Sequence, residues 1–256
     1  MSLAFRADPE LIGCPRLAWT GVAHVHLGAA SHAADLDATF VHAGDSSLSP
    51  VKSHGVVPAV VLAAGRSTRM GRPKALLPIG GVDTFVTRVV RTFLDAGVED
   101  VVVVLGEEAD AIAARLAREG LDARIVVNRA FATGQLSSVL KGLDAIDRPG
   151  VEAMLVTLVD VPLVGADTVR AVLRRFRETG APIVRPVRGD DHGHPVLIAR
   201  SLFAALRSGD PATGMKPIVR RHVSPAGDVV VEDEGAFLDI DTPEQYERAI
   251  GPLAGV

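Results

Sequence analysis

The sequence predicts a doubly wound α/β fold: a mostly parallel sheet with helices on both faces. Two observations carry that expectation. Short, wholly apolar, β-branched runs recur along the chain, and they alternate with segments whose apolar residues keep a helical spacing. Strands that are apolar on both sides need a helical layer above and below, which is the parallel-sheet arrangement. Each crossover is then expected to be right-handed.

The first strand is expected over residues 59–64, a run bounded by Pro58 and Gly65. Phe85, Val89, Val90, Phe93 and Leu94 place a helix over 84–96, which Gly97 stops. Residues 101–105 are a second apolar strand, 108–118 a helix ending before Gly120, and 124–127 a third strand. A loop over 128–134 leads to a helix over 136–146, a strand over 153–159 and a helix over 169–176. That last helix carries Arg170, Arg174, Arg175 and Arg177 on its open face. Past residue 181 the pattern loosens. Strands are expected at 182–187 and 195–198 around a turn over 188–193, short helices at 201–206 and 213–221, and a strand near 229–231. Thr242 as N-cap and Pro243 at the first helical position open the final helix.

Residues 1–54 differ in kind. No apolar period is sustained there, so they read as an N-terminal extension, flexible or loosely packed, ahead of a domain over 55–256. His24, His26, His32, His42 and His54 fall in it, but no carboxylate or cysteine stands in a recognisable ligand spacing with them. Apolar residues make up 48% of the chain, enough for a sizeable core. The net charge of −4 argues against a general binder of nucleic acid or of membrane surfaces. Cys14 is the one cysteine, which excludes an intramolecular disulfide. With no signal-peptide pattern and no long apolar run, a cytoplasmic protein is expected.

The chemistry is expected where strands end. After the first strand comes Gly65-Arg66-Ser67-Thr68-Arg69-Met70-Gly71, then Arg72, Pro73 and Lys74. Glycines let backbone N–H groups converge, and the cations around them suit an anion, above all a polyphosphate. The loop lacks the Gly-Lys-Ser/Thr ending of a Walker A motif, and it contains no GxGxxG. Asp160, directly after the 153–159 strand, is placed to hold Mg²⁺, which takes oxygen ligands and keeps several waters. Asp239 and Asp241 are spaced to face one way if extended, so either is a candidate second metal ligand. Gly134, Ser137 and Ser138 stand at a helix start, where N–H groups and hydroxyls can meet a base or phosphate. His194 sits at the lip of a later strand.

Together these residues resemble the MobA-like nucleotidyltransferase family, and especially its molybdenum cofactor cytidylyltransferase branch. LAAGRSTRMGRPKALLP, DVPLV, GHPVLI and LDIDTPEQYERA follow in the family's order over about residues 57–250. The resemblance implies a Rossmann-like, nucleotide-diphospho-sugar transferase-like fold. It implies that Leu62, Ala63, Ala64, Gly65, Arg66 and Ser67 hold a nucleotide, with Arg69 and Lys74 on its phosphates and Asp160 on Mg²⁺. Asp239 aligns best with the second metal-binding acid, with Asp241 close behind, and His194 would face the acceptor. The Ala-Ala-Gly form of the loop points to CTP rather than GTP. Val161 and Leu136 depart from the family's usual residues near the acceptor and nucleotide surface.

The implied reaction moves CMP from CTP onto a phosphorylated acceptor of the molybdopterin type and releases pyrophosphate. A molybdoenzyme or its chaperone would be a further partner. Three alternatives stay open: another nucleotide or acceptor, a non-catalytic cofactor carrier, and an oxidoreductase on the same scaffold. The last lacks a dinucleotide fingerprint in this sequence.

Overall fold

In the computed structural model, which describes residues 55–65, 67–106, 108–211 and 213–252, the apolar runs are the central strands of one sheet. The expected extension over 1–54 and the candidate Arg66 lie outside the described residues.

Strand β1 (Ala59–Ala63) is followed by a small antiparallel hairpin, β2 (Pro78–Ile79) and β3 (Asp83–Thr84). Helix α1 (Phe85–Asp95), β4 (Val101–Leu105), α2 (Ala109–Arg118) and β5 (Arg124–Val127) come next. Then α3 (Gln135–Ile146), β6 (Ala153–Leu158), α4 (Ala166–Thr179), β7 (Ile183–Arg188), β8 (Asp191–His192) and β9 (Val196–Ala199) follow. The described chain closes with α5 (Phe203–Arg207), α6 (Lys216–His222), β10 (Asp228–Val230) and α7 (Pro243–Ile250). No described helix is long and apolar enough to cross a membrane.

The sheet order is β10-β7-β9-β6-β1-β4-β5, with β8 paired to β7. Strands β6, β1, β4 and β5 are mutually parallel, as are β10 and β7. Strand β9 runs antiparallel to both β6 and β7. The chain first builds outward from β1 through β4 to β5, then returns across α3 to lay β6 on the other side of β1. That reversal makes the carboxyl ends of β1 and β6 the switch point, where this architecture opens a crevice.

Alternation along the strands sorts the core into two layers. Val61, Val103 and Leu155 pack towards α1, α2, α4 and α7, while Val60, Val104 and Val156 pack towards α3 and α5. Gly142 lets α3 lie close: a Cβ there would collide with Cγ1 of Val60. The last helix is fixed at its start and at its midpoint. Thr242 and Gln245 form the expected capping box, and the Tyr246 hydroxyl donates to the Pro78 carbonyl at 2.6 Å.

Two short pairings differ from expectation. Residues 188–193, read as a turn, include β8, whose Asp191 and His192 face Arg188 and Val187. The β2–β3 hairpin falls where the sequence predicts no element. Two-residue strands carry no period, so only the turn glycines, Gly189 and the Gly80-Gly81 pair, signal them; all three have positive φ.

Candidate active site

At the switch point lies a cleft of about 790 Å³. Of the residues singled out in the sequence, Leu62, Ala63, Ala64, Gly65, Ser67, Arg69, Lys74, Ser138, Asp160 and Asp241 line it. Glu108, Phe131, Ala132 and Gln135 complete the opposite wall. Glu108, Phe131 and Ala132 follow β4 and β5 outside any motif, so the topology alone places them, while Gln135 lies in the helix start that also holds Gly134, Ser137 and Ser138.

The basic loop is held by its own backbone. Ser67 adopts a left-handed conformation (φ 51°), and its hydroxyl accepts from the Lys74 N–H at 2.9 Å. Lys74 is thereby turned inward and is only 9% exposed. Its ammonium donates to Asp160 Oδ2 at 2.9 Å and also to Asp241 Oδ1. Arg69, largely exposed, reaches Asp241 Oδ2 at 3.0 Å. The two acids are brought together by the chain itself, because the Ile240 N–H donates to the Asp160 carbonyl at 2.8 Å. On the other side, the Gln245 amide oxygen accepts the Asp241 N–H at 2.7 Å, so the cap of α7 also orients this carboxylate.

These contacts set opposite tendencies on neighbouring groups. The hydrogen bond from Lys74 holds Asp241 below the usual carboxylate range against the opposing effect of partial burial, and the charges of Lys74 and Arg69 add to it. Partial burial lifts Asp239 above that range; the His194 ring opposes the lift, and the charges of Asp160 and Asp241 add to it. Burial likewise pulls His194 below the usual imidazole range, against the Asp239 charge, a Val156 backbone group and the Asp160 charge. The ring is electrically coupled to the acids, but it does not line the cleft.

Three other candidates also stand back from the cleft wall. Asp239 is exposed and electrically coupled to His194 and Lys74, but it is not among the residues lining the cleft. The Ser137 hydroxyl is committed to the Gly134 carbonyl at 2.7 Å. Gly134 has a packing role, since at φ 128° a Cβ would stand 2.7 Å from the Pro211 carbonyl oxygen.

Over residues 59–226 the sequence matches the MobA-like NTP transferase domain. The chain belongs to this family. Among its relatives, nicotine blue oxidoreductase of Paenarthrobacter nicotinovorans is 36% identical over 203 residues, 76% of this chain and 96% of the relative. Molybdenum cofactor guanylyltransferase of Cereibacter sphaeroides is 32% identical over 195 residues, 74% of this chain and 93% of the relative. Molybdenum cofactor cytidylyltransferase of Escherichia coli is 26% identical over 202 residues, 75% of this chain and 95% of the relative. Rv0371c of Mycobacterium tuberculosis, crystallised in complex with manganese, has a TM-score of 0.61 and 28% identity, covering 76% of this chain and 98% of that one.

Whether a divalent cation fits this MobA-like site depends on its donors. Asp160 Oδ1 is buried and has no hydrogen-bond partner among the described residues. An unsatisfied buried carboxylate oxygen is costly unless something binds it. No group of three or more histidine, cysteine, aspartate or glutamate side chains among the described residues is arranged to hold an ion. Mg²⁺ does not require one, because it usually takes one or two carboxylates and completes its shell with water and phosphate. The hard-oxygen donor set fits.

Proposed function

We propose that the chain is a Mg²⁺-dependent nucleotidyltransferase that moves CMP from CTP onto a phosphorylated, molybdopterin-type acceptor. The observation that carries this reading is the Lys74 ammonium held between Asp160 and Asp241 at the edge of the cleft. A nucleotide lying along Leu62, Ala63, Ala64 and Gly65 would bring its phosphates to that group and to Arg69.

In the reaction, an acceptor phosphate oxygen forms a bond to the α-phosphorus of the nucleotide. The bond from that phosphorus to the bridging oxygen breaks, and its electron pair leaves with pyrophosphate. The nucleophile is already an anion at neutral pH, so no general base is needed. Lys74 and Arg69 would neutralise charge as it builds on the α-phosphate and the leaving group. Asp160, with Asp239 or Asp241, would hold the metal, which supplies Lewis-acid stabilisation when bound. His194 would act towards the acceptor side. Cytoplasmic placement, and delivery of the product to a molybdoenzyme or its chaperone, belong to the same reading.

CTP rests on the Ala63-Ala64-Gly65 pattern; the guanylyltransferase relative keeps GTP as the competing nucleotide. A screen of pyrophosphate release over the four nucleoside triphosphates, with and without molybdopterin-type acceptor, tests the proposal. Release that is specific to CTP supports it, and release with GTP alone would move the chain to the guanylyl branch. The 36% identity to nicotine blue oxidoreductase favours one second reading, redox chemistry in the same cleft. Consumption of a reduced nicotinamide cofactor with an oxidised dye, in place of pyrophosphate release, would identify it.

A further inference from the structure

The wall opposite the basic loop hangs on a residue that no motif marks. Asn128 follows β5 directly and is 4% exposed. Its backbone N–H extends the sheet by donating to the Leu105 carbonyl at 2.8 Å. Its side chain then bonds through both its oxygen and its nitrogen. Oδ1 accepts from the Ala130 N–H at 3.0 Å, while Nδ2 donates to Ser137 Oγ at 2.9 Å and to Ser138 Oγ at 3.0 Å. A backbone N–H can only donate, so the oxygen of the amide must face Ala130 and the nitrogen must face the serines.

This fixes the polarity of both hydroxyls. Each accepts from Asn128 and has one proton left to give. Ser137 gives its proton to the Gly134 carbonyl at 2.7 Å. In a helix, that carbonyl is also the one Ser138 would ordinarily bond four residues back. Ser138 makes no such bond, and its hydroxyl has no hydrogen-bond partner other than Asn128 among the described residues. Ser138 is 4% exposed and lines the cleft.

We propose that Asn128 is a positioning residue that sets the Ser138 hydroxyl as a hydrogen-bond donor into the nucleotide cleft. The group seated against it must then offer an acceptor oxygen, either a phosphate oxygen or a base carbonyl. This rests on the reading of the cleft as a nucleotide site.

The test is calorimetric binding of CTP, cytidine and tripolyphosphate to wild type, Ser138→Ala, Asn128→Asp and the double variant. Each protein is checked for fold by thermal melting. Asn128→Asp keeps the shape and the acceptor for Ala130, but it offers the serines acceptors only, so Ser138 turns its proton away from the cleft. Loss of one hydrogen bond to a charged group corresponds to a fall in affinity of about ten- to a hundredfold. Ser138→Ala should weaken CTP by that factor and Asn128→Asp by at least as much. The double variant should be no weaker than Asn128→Asp alone. In turnover, KM for the nucleotide should rise while KM for the acceptor stays. If a phosphate is the acceptor, tripolyphosphate weakens with CTP and cytidine does not; if a base carbonyl is, the reverse holds. CTP affinity within twofold of wild type in either single variant overturns the proposal, as do losses that multiply in the double variant. Wild-type protein that binds no nucleotide overturns the nucleotide reading itself, and this assignment with it.

Discussion

Lys74 and Asp160 stand 86 residues apart in sequence and meet in an ion pair, with 2.9 Å between Nζ and Oδ2. The same ammonium bonds Asp241, so one cation ties the loop after β1 to the acids after β6 and before α7. Replacing Lys74 with Ala should lower pyrophosphate release by ~10²–10³, the usual cost of losing one preorganised electrostatic group. Circular dichroism should show the fold intact. Near-wild-type turnover would remove Lys74 from the mechanism.

Asp239 and Asp241 should respond to neutralisation with opposite signs. Asp241 is held below its ordinary value of 3.8. The stability it adds is therefore full above that value and is lost as pH falls through the depressed one. Asp239 is raised above 3.8, so its favourable contribution exists only in acid and is lost as pH rises through the raised value. At neutral pH, Asp241→Asn should melt below wild type and Asp239→Asn above it, and both differences should shrink in acid. Melting shifts of the same sign at neutral pH would refute this assignment.

His194 should contribute a second pH dependence. Its imidazole is held below the ordinary 6.5, so the stability it supplies is present above 6.5 and is lost as pH falls through the lowered value. Urea denaturation from about pH 8 to about pH 5 should show wild type losing stability that a His194→Gln variant does not lose. Parallel curves for the two proteins would contradict it.

The seat of α3 on the sheet can be tested apart from the chemistry. Gly142→Val would drive a side chain into Val60. Overpacking of this kind should cost about 1–3 kcal/mol in chemical denaturation, with nucleotide binding retained at low temperature. An unchanged denaturation midpoint would mean that the helix shifts without strain.

Much of this fold was legible because its central strands are apolar on both faces. Runs such as 59–63 and 101–105 admit few other assignments once helical spacing separates them. The antiparallel course of β9 was not legible, since an apolar strand looks the same in either direction. The strand-end motifs placed Lys74 and Asp160 in one crevice by a rule of topology. Their direct contact, and the second bond to Asp241, depend on long-range packing that no local pattern encodes. Asn128 was missed for a related reason: a lone asparagine after a strand looks like a turn residue, and its work is visible only when Ser137 and Ser138 are in place.

Mg²⁺-dependent release of pyrophosphate from CTP, with and without a molybdopterin-type acceptor, in wild type and Asp160→Asn tests the nucleotidyl-transfer mechanism most directly. Release should depend on the acceptor and fall by ~10²–10³ in the variant. Absence of release with every nucleoside triphosphate, alongside oxidation of a reduced nicotinamide cofactor by the wild-type protein, would contradict it.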